Sequence, residues 1–499
     1  MLSEYFTSVD LLVLKPIILL TLFGLGVLVT DLLLEPGQKY FNAITALVGL
    51  AFAGFSLGPW HIGNSAGIQY LMNQSGVSEI EAFRGAVILD GFAIYFIWIF
   101  LISTAIAILL SIRYLEIEGE NRGEHYSILL FATVGMITLA MGMDLVTLFI
   151  GLELMVISVY ILTGYLRRDR RSNEAALKYL LLGAFSSGIL LYGMSLLYGM
   201  SGSTDLRIIA SSLAQRSPGD PLVLMAVVTI VTGLLFKIGA VPFHQWLPDA
   251  YEGAPHSITA FMSVGPKAAS FAFLLRMFLV PLGPARAEWL PLIVGVALAT
   301  MTIGNLAAIS QSNIKRLLGY SAISHAGYML LGLVSGNETG LKGIAIYLLV
   351  YAFMNLGAFA VIVAMRRKDL IGDEIDDLSG LIYKSPVAAT LMLIFLLSLA
   401  GIPPTAGFLG KYFIFLSLIE TGHITLAVIA VLYVAVALYY YFRIVEVMFT
   451  REPQDRELPA LSFGVRLALG ITLAMTLFIG LFPDPFIQVA GRSVLSLLR

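Results

Sequence analysis

The sequence predicts an all-α polytopic membrane protein with about fourteen transmembrane helices. Of its 499 residues, 58% are hydrophobic and only 12% are charged, whereas soluble domains carry roughly 25% charged residues. The apolar residues form continuous runs of the length that a helix needs to cross a bilayer, about 20 residues. Because these runs are continuous rather than alternating, helices are favoured over a transmembrane β-barrel.

Fourteen such runs follow one another along the chain, and the twelfth is long because Pro403 and Pro404 interrupt it. The seventh run has its own interruption at Pro242 and Pro248. The predicted segments are 11–34, 40–58, 89–112, 126–143, 145–166, 174–200, 221–243, 257–280, 289–310, 317–335, 341–365, 386–420, 423–449 and 462–482.

Two matched interruptions in two halves of a chain are typical of inverted-repeat transporters. We therefore predict two inverted five-helix repeats, each with its fourth helix broken. The expected division is 1–125 for helices 1–3, 126–280 for the first repeat (helices 4–8), 289–450 for the second repeat (helices 9–13), and 451–499 for helix 14.

The distribution of lysine and arginine predicts the orientation, because short cytoplasmic loops carry the excess of positive charge. The odd-numbered loops hold most of it, including the cluster RRDRR at 167–171 and the segment RRKDLIGDEIDD at 366–377. Both ends of the chain are therefore expected on the outer side of the membrane. We interpret the two charged clusters themselves as solvated loops, with a role at the lipid surface as the alternative.

Several classes of function are disfavoured by composition. The net charge of −2 gives no sign of nucleic-acid binding, and the absence of cysteine excludes thiolate-held metal sites and iron–sulfur clusters on this chain. His244, His256 and His325 are conceivable haem ligands, but they show no repeated two-helix pairing. For His244, a proton relay and simple hydrogen bonding remain open, whereas for His325 a structural role is favoured.

Four ionisable residues stand out because they lie within apolar runs rather than at their ends, and each costs roughly 2.5–3.5 kcal/mol on insertion scales. They are Glu153 in LFIGLELMVISVY, Lys237 in GLLFKIG, Lys267 in MSVGPKAASFAF and Lys411 in GIPPTAGFLGKYFIF. One carboxylate cannot pair with three lysines, so a set of structural ion pairs does not account for them. A lysine buried without a partner exchanges its proton near neutral pH, because burial disfavours its charged form. The pattern therefore indicates proton handling.

The prolines add hydrated backbone at membrane depth. Pro242, Pro403 and Pro404 remove backbone donors, which frees carbonyl groups. Such backbone is tolerated only inside the protein or beside water. We therefore expect a hydrated spot at each break, one next to Lys237 and one next to Lys411.

Four motifs carry a resemblance to a known family: GLELMVISVYILTGYLRRDRRSNEAALKYLLLGAFSSG, FKIGAVPFHQWLPDAYEGAP, NIKRLLGYSAISHAGYMLLGL and LSLAGIPPTAGFLGKYFIF. Together they resemble the antiporter-like membrane subunits of proton-pumping NADH:quinone oxidoreductase, respiratory complex I, and are most similar to the N-type members. The similarity extends from about residue 85 to residue 450. M-type members carry glutamate where this chain has Lys411.

The resemblance implies roles for particular residues. Glu153 matches the family's fifth-helix glutamate, Lys237 the seventh-helix lysine beside the break, Lys267 the eighth-helix lysine between two half-channels, and Lys411 the twelfth-helix lysine. A sixth-helix lysine of less certain role corresponds to Lys178, and His244 is a candidate relay.

The resemblance also implies partners and location. Flavin, iron–sulfur clusters and quinone are expected on partner subunits rather than on this chain, which would lie in the bacterial inner (plasma) membrane beside other membrane subunits of the complex. Subunits of multisubunit sodium/proton antiporters share the seventh-helix motif, and they are the alternative.

Overall fold

A computed structural model describes residues 7–62, 65–367, 372–453 and 461–497, and this part of the chain is nearly all helical. Two short antiparallel hairpins, β1 (His61–Ile62) with β2 (Ser65–Ala66) and β3 (Glu79–Ala82) with β4 (Val87–Asp90), lie between the second and third long helices. The helices are Ser8–Leu33 (α1), Tyr40–Leu57 (α2), Ile68–Ser75 (α3), Gly91–Glu118 (α4), Gly123–Met141 (α5), Leu145–Thr163 (α6), Arg170–Ser201 (α7), Leu206–Leu213 (α8), Pro221–Ile238 (α9), Trp246–Gly253 (α10), His256–Leu279 (α11), Arg286–Ile309 (α12), Ile314–Ser335 (α13), Glu338–Met365 (α14), Leu381–Lys384 (α15), Pro386–Ala400 (α16), Ala406–Glu420 (α17), Ile424–Thr450 (α18), Phe463–Leu481 (α19) and Asp484–Leu495 (α20), with 3₁₀ turns at Pro36–Gln38, Phe83–Gly85 and Ile375–Leu378.

The predicted all-α polytopic fold is confirmed. Within the described residues, 13 helices are long and apolar enough to cross a membrane, and the shorter apolar helix α16 occupies the start of the predicted twelfth segment. The count of fourteen segments therefore holds when α16 and α17 are taken as the two halves of one broken segment.

Both predicted helix breaks are present. The seventh segment stops at Ile238, five residues earlier than its predicted end at 243, because Gly239 adopts a left-handed conformation with φ 73° and caps α9. The chain then runs through Pro242 without helical structure and resumes as α10. In the twelfth segment, Gly401 caps α16 with φ 85°, and α17 begins only after the two prolines.

Three helices form the interior of the bundle. Helices α11, α13 and α14 are almost wholly enclosed by their neighbours, whereas α1 and α18 bury only a small part of their surface. Helix α11 contains Pro266 directly before Lys267 and is buried along its length. The interior of the protein is thus the place where its ionisable groups are found, which positions the site described below.

Part of the charge used to predict orientation lies outside the described residues, including Lys368 and Arg456. The orientation and the inverted relation of the two repeats stay predictions.

Candidate functional site

Lys237 lies in the last turn of α9 and is buried. Its ammonium group donates a hydrogen bond of 2.9 Å to the Ser187 hydroxyl on α7. Glu153, on α6, is half-buried, and its charge acts on Lys237, although the two side chains form no ion pair within 4 Å. One carboxylate oxygen of Glu153, Oε1, is buried without a hydrogen-bond partner. The pair is therefore an electrostatic one at a distance, not a direct salt bridge.

At the break after α9, a backbone carbonyl near the end of the helix finds hydrogen-bond donors within the break itself. The carbonyl of Phe236 accepts hydrogen bonds from the backbone amide of Gly239 and from the Trp246 indole, both at 3.0 Å. The Trp246 ring also stacks on Tyr179 with 4.1 Å between centroids. The aromatic residue that opens α10 thus holds the two halves of the broken segment together.

Lys267 lies at the centre of the molecule and is also buried. Its ammonium group donates a hydrogen bond of 2.7 Å to the Ala322 carbonyl on α13. A narrow, enclosed cavity is lined by both Lys237 and Lys267, together with Tyr179, Trp246, Leu247, Tyr251 and Ser270, and with Met155, Val156, Met262 and Pro266. Buried lysines on two different helices therefore face the same small space.

Lys411 uses the carbonyls that the second break frees. It lies in the second turn of α17, only 4% exposed, and its ammonium group donates to the carbonyls of Leu399 and Ala400 at 3.0 and 2.8 Å. These two carbonyls end α16 and have no continuing helix to bond. The carbonyls that the prolines were expected to free are thus present beside Lys411, and hydration of this spot stays a prediction.

His325 is buried within electrostatic reach of both Lys267 and Lys411, and the sequence favoured a structural role for it. It is 2% exposed on α13, with Nδ1 2.6 Å from the Tyr347 hydroxyl and Nε2 3.2 Å from the Tyr441 hydroxyl. Both lysines act electrostatically on it. Aromatic rings fill the remaining space: Tyr351 lies 5.9 Å from the Lys267 ammonium group, and Tyr328 lies 5.2 Å from that of Lys411.

The signal that identifies His325 in the sequence is weak. A single histidine among small residues in SAISHAGYM does not distinguish a relay from a packed side chain. Its neighbours come from α14 and α18, which are distant in sequence.

The charged residues after the first break form an ion-pair network at one end of the molecule. The Arg316 guanidinium lies 2.7 Å from Asp249 and 2.8 Å from Glu252, and Lys178 lies 3.1 Å from Asp249 and 2.9 Å from Glu174. These side chains line an open polar pocket together with Arg171. Asp249 and Glu252 are thus partners of basic residues on α7 and α13.

Neither Lys178 nor His244 lines the cavity shared by Lys237 and Lys267. Lys178 has 47% of its side chain exposed in the ion-pair network. His244 is half-buried in the break between α9 and α10, and its Nδ1 is buried without a hydrogen-bond partner.

Broken helices that carry buried ionisable groups at membrane depth define a polytopic protein of the transporter type. Residues 142–437 match the family described as "NADH:quinone oxidoreductase/Mrp antiporter, TM", and the chain belongs to this family. NADH-quinone oxidoreductase subunit N 2 of Solibacter usitatus is 57% identical over 495 residues, 99% of each chain.

Solved structures agree with this assignment. A chain of respiratory complex I from Thermus thermophilus with bound aureothin superposes with a TM-score of 0.78 at 31% identity, over 95% of this chain and 99% of that one. A chain of the Mrp complex from Dietzia sp. superposes with a TM-score of 0.82 at 23% identity, over 99% and 98% of the two chains, and shares the fold.

Proposed function

We propose that this chain is a proton-translocating membrane subunit of NADH:quinone oxidoreductase, driven by quinone reduction on other subunits. The observation that carries the proposal is the buried row formed by Lys237, Lys267, His325 and Lys411, since membranes seldom tolerate such residues without a function. Similarity to a relative of that name along the whole chain supports the choice of complex.

Protons enter from the cytoplasmic side through the open polar pocket beside Asp249. Helix α10 leads inward from this pocket, because its residues Trp246 and Tyr251 also line the cavity shared by Lys237 and Lys267. From Lys267 the proton passes His325 and its tyrosines and reaches Lys411, from which it leaves to the outer side. His244, in the break, is a candidate side relay. Lys178 positions Asp249 rather than carrying protons itself.

Opposing effects prepare each lysine to load and release a proton. Burial disfavours an ammonium group, whereas hydrogen bonds from it to carbonyl or hydroxyl oxygens favour it. Lys411 has two carbonyl acceptors and Lys237 has Ser187 and the charge of Glu153. A conformational change that alters these acceptors shifts the balance, and quinone reduction supplies the energy for it.

The proposal also specifies the membrane in which the chain lies and the subunits beside it. It lies in the bacterial inner membrane beside other membrane subunits, with the start of α1 and the segment after α19 on the outer side. Flavin, iron–sulfur clusters and quinone belong to partner subunits. The two inverted repeats comprise residues 126–280 and 289–450, each with one broken helix and a lysine next to the break.

Purification of a tagged chain from its host tests the assembly. NADH:quinone reductase activity should co-elute with the tag, and vesicles containing the complex should take up protons on addition of NADH. Sodium/proton exchange that co-elutes in the absence of NADH oxidation would instead support the antiporter alternative.

Replacement of Glu153 by glutamine tests the electrostatic pair. We expect a fully assembled complex with slower proton uptake, because the neutral amide keeps the size of the side chain but no longer stabilises the charged form of Lys237. Glu446→Gln, at an exposed position on α18, is the matched control. Proton uptake at the wild-type rate in assembled Glu153→Gln complex would remove Glu153 from the mechanism.

A further inference from the structure

A buried cluster of charged and titratable groups lies at the start of α11. His256, the first residue of α11, is 2% exposed, and its Nε2 lies 2.7 Å from the Asp373 carboxylate. The Nδ1 atom lies 3.2 Å from the Tyr114 hydroxyl on α4. Lys315 is the second residue of α13. Its ammonium group lies 3.6 Å from the Asp373 carboxylate and donates a hydrogen bond of 3.1 Å to the Ala254 carbonyl.

The cluster is held in place by the backbone. The amide of Ile314 donates to the Asp373 carbonyl at 2.7 Å, and the amide of Ile375 donates to the Ser312 carbonyl at 2.9 Å. Arg366, which pairs with Glu118 at 2.6 Å, adds positive charge near His256. Helices α4, α11, α13 and α14 thus meet around one imidazole at the end of the molecule that is predicted to be cytoplasmic.

Asp373 supplies a constant negative charge to the cluster. Burial alone would raise the pKa of this carboxyl group, but the charge of Lys315 and the nearby imidazole of His256 hold it at about 2. The carboxylate therefore stays ionised at physiological pH, and it offsets the cost of a proton on the adjacent imidazole.

A polar stripe leads from His256 toward the centre of the molecule. Thr259, Ser263, Lys267 and Ser270 follow it on α11, and all of them are buried. At 3.6 residues per turn these positions lie within about 80° of one another around the helix axis. The stripe covers roughly 16 Å between His256 and Lys267, at 1.5 Å per residue.

Polar side chains of the neighbouring helix α14 contact the stripe. The Asn355 amide donates a hydrogen bond of 2.6 Å to the Ser263 hydroxyl, and Tyr351, one helical turn away, lies against the Lys267 ammonium group. Beside Lys267, the Tyr351 hydroxyl is buried without a hydrogen-bond partner. Buried polar atoms of this kind are the positions that ordered water satisfies.

We propose that His256, paired with Asp373, forms a second cytoplasmic proton intake that reaches Lys267 along the polar stripe of α11, in parallel with the route through Lys237. His256 takes a proton from the cytoplasmic side, releases it to the hydroxyls and water of the stripe, and returns to its neutral form as Lys267 becomes an ammonium group. No other group changes its charge in this transfer. The inference rests on the proposed function.

The test is a double-mutant cycle in inside-out membrane vesicles, in which NADH-driven proton uptake is measured per assembled complex quantified on a native gel. Lys267→Ala defines the share of proton uptake that depends on this subunit. We expect Lys237→Ala and His256→Gln each to lose about half of that share and the double variant to lose all of it, since independent routes add. Lys237→Ala with wild-type His256 should show uptake that falls at alkaline pH as a single group titrates.

His125→Gln is the matched control, because His125 is a fully buried histidine near the same end of the bundle that contacts Ser111 at 2.9 Å and lies off the stripe. It should retain wild-type uptake. If His256→Gln does not assemble, Ser263→Ala replaces it and should cause the same loss in the Lys237→Ala background.

Two results separate the inference from the proposed function. If Lys267→Ala lowers uptake but the double variant equals Lys237→Ala alone, the second intake is wrong and the proposed function stands. If neither Lys267→Ala nor Lys237→Ala lowers uptake in assembled complex, the proposed function itself fails, and the second intake with it.

Discussion

Replacement of Lys411 by alanine is expected to slow proton transfer through this subunit on the order of 10²-fold, the lower end of what a positioned proton-transfer group contributes. Proton uptake by the complex should fall by the share that this subunit carries, and NADH:quinone turnover should fall with it because the two are coupled. Alanine removes the carrier and leaves the carbonyls of Leu399 and Ala400 without their donor. Lys411→Glu should retain more activity than alanine. A carboxyl group facing two carbonyl oxygens is favoured in its protonated form, so it donates to one of them and still loads and releases a proton.

The measurement is proton uptake and quinone reduction in vesicles for both variants, after native-gel confirmation of assembly. Lys342→Ala is the matched control. The ammonium group of Lys342, on α14, lies 5.1 Å from the centre of the Phe413 ring on α17, the helix that also carries Lys411, but Lys342 lies outside the buried row. A purely structural role for Lys411 predicts the reverse order, because a reversed charge costs more than a neutral side chain in a buried site. Assembled complex in which alanine outperforms glutamate would contradict the assignment of Lys411 as a carrier.

The parts of the site that the sequence predicts are those with a local physical signature. A lysine inside a long apolar run is recognisable because its insertion is costly, and this identified Lys237, Lys267 and Lys411. The breaks are equally local, since glycine and proline end helices by their own backbone geometry. Their positions were correct to within a few residues.

The parts that the sequence does not predict depend on contacts between distant segments. The partners of His325 are tyrosines on α14 and α18, and the partners of Asp249 lie on α7 and α13. Glu153 does not touch Lys237, and the two residues interact only through their charges at a distance. Helix packing decides these distances, and a list of apolar segments contains no information about them.

Arg276 is the clearest residue that the sequence analysis missed. It stands near the end of the eighth apolar run, where an arginine is ordinarily explained by its reach toward the membrane surface. In the structure it is 2% exposed on α11, and its two terminal nitrogens bind the Asp90 carboxylate at 2.9 and 3.0 Å. The same guanidinium donates to the Ala140 carbonyl, so it joins α4, α5 and α11.

Arg276→Met should therefore prevent assembly or sharply lower the thermal stability of the complex. Loss of one partner leaves Asp90 as an uncompensated buried anion, at a cost of about 3–5 kcal/mol. Adding Asp90→Asn should recover much of the loss, because asparagine carries no charge. Its side-chain oxygen can still accept the hydrogen bond of 2.7 Å that the Ala93 amide donates to Asp90.

Arg113→Met is the control: its pair with Glu116 is half-exposed, and such pairs contribute roughly 0–1 kcal/mol. The measurement is thermal denaturation of detergent-solubilised complex beside native-gel yield, and an Arg276→Met complex as abundant and heat-stable as wild type would show that this buried pair does not stabilise the fold.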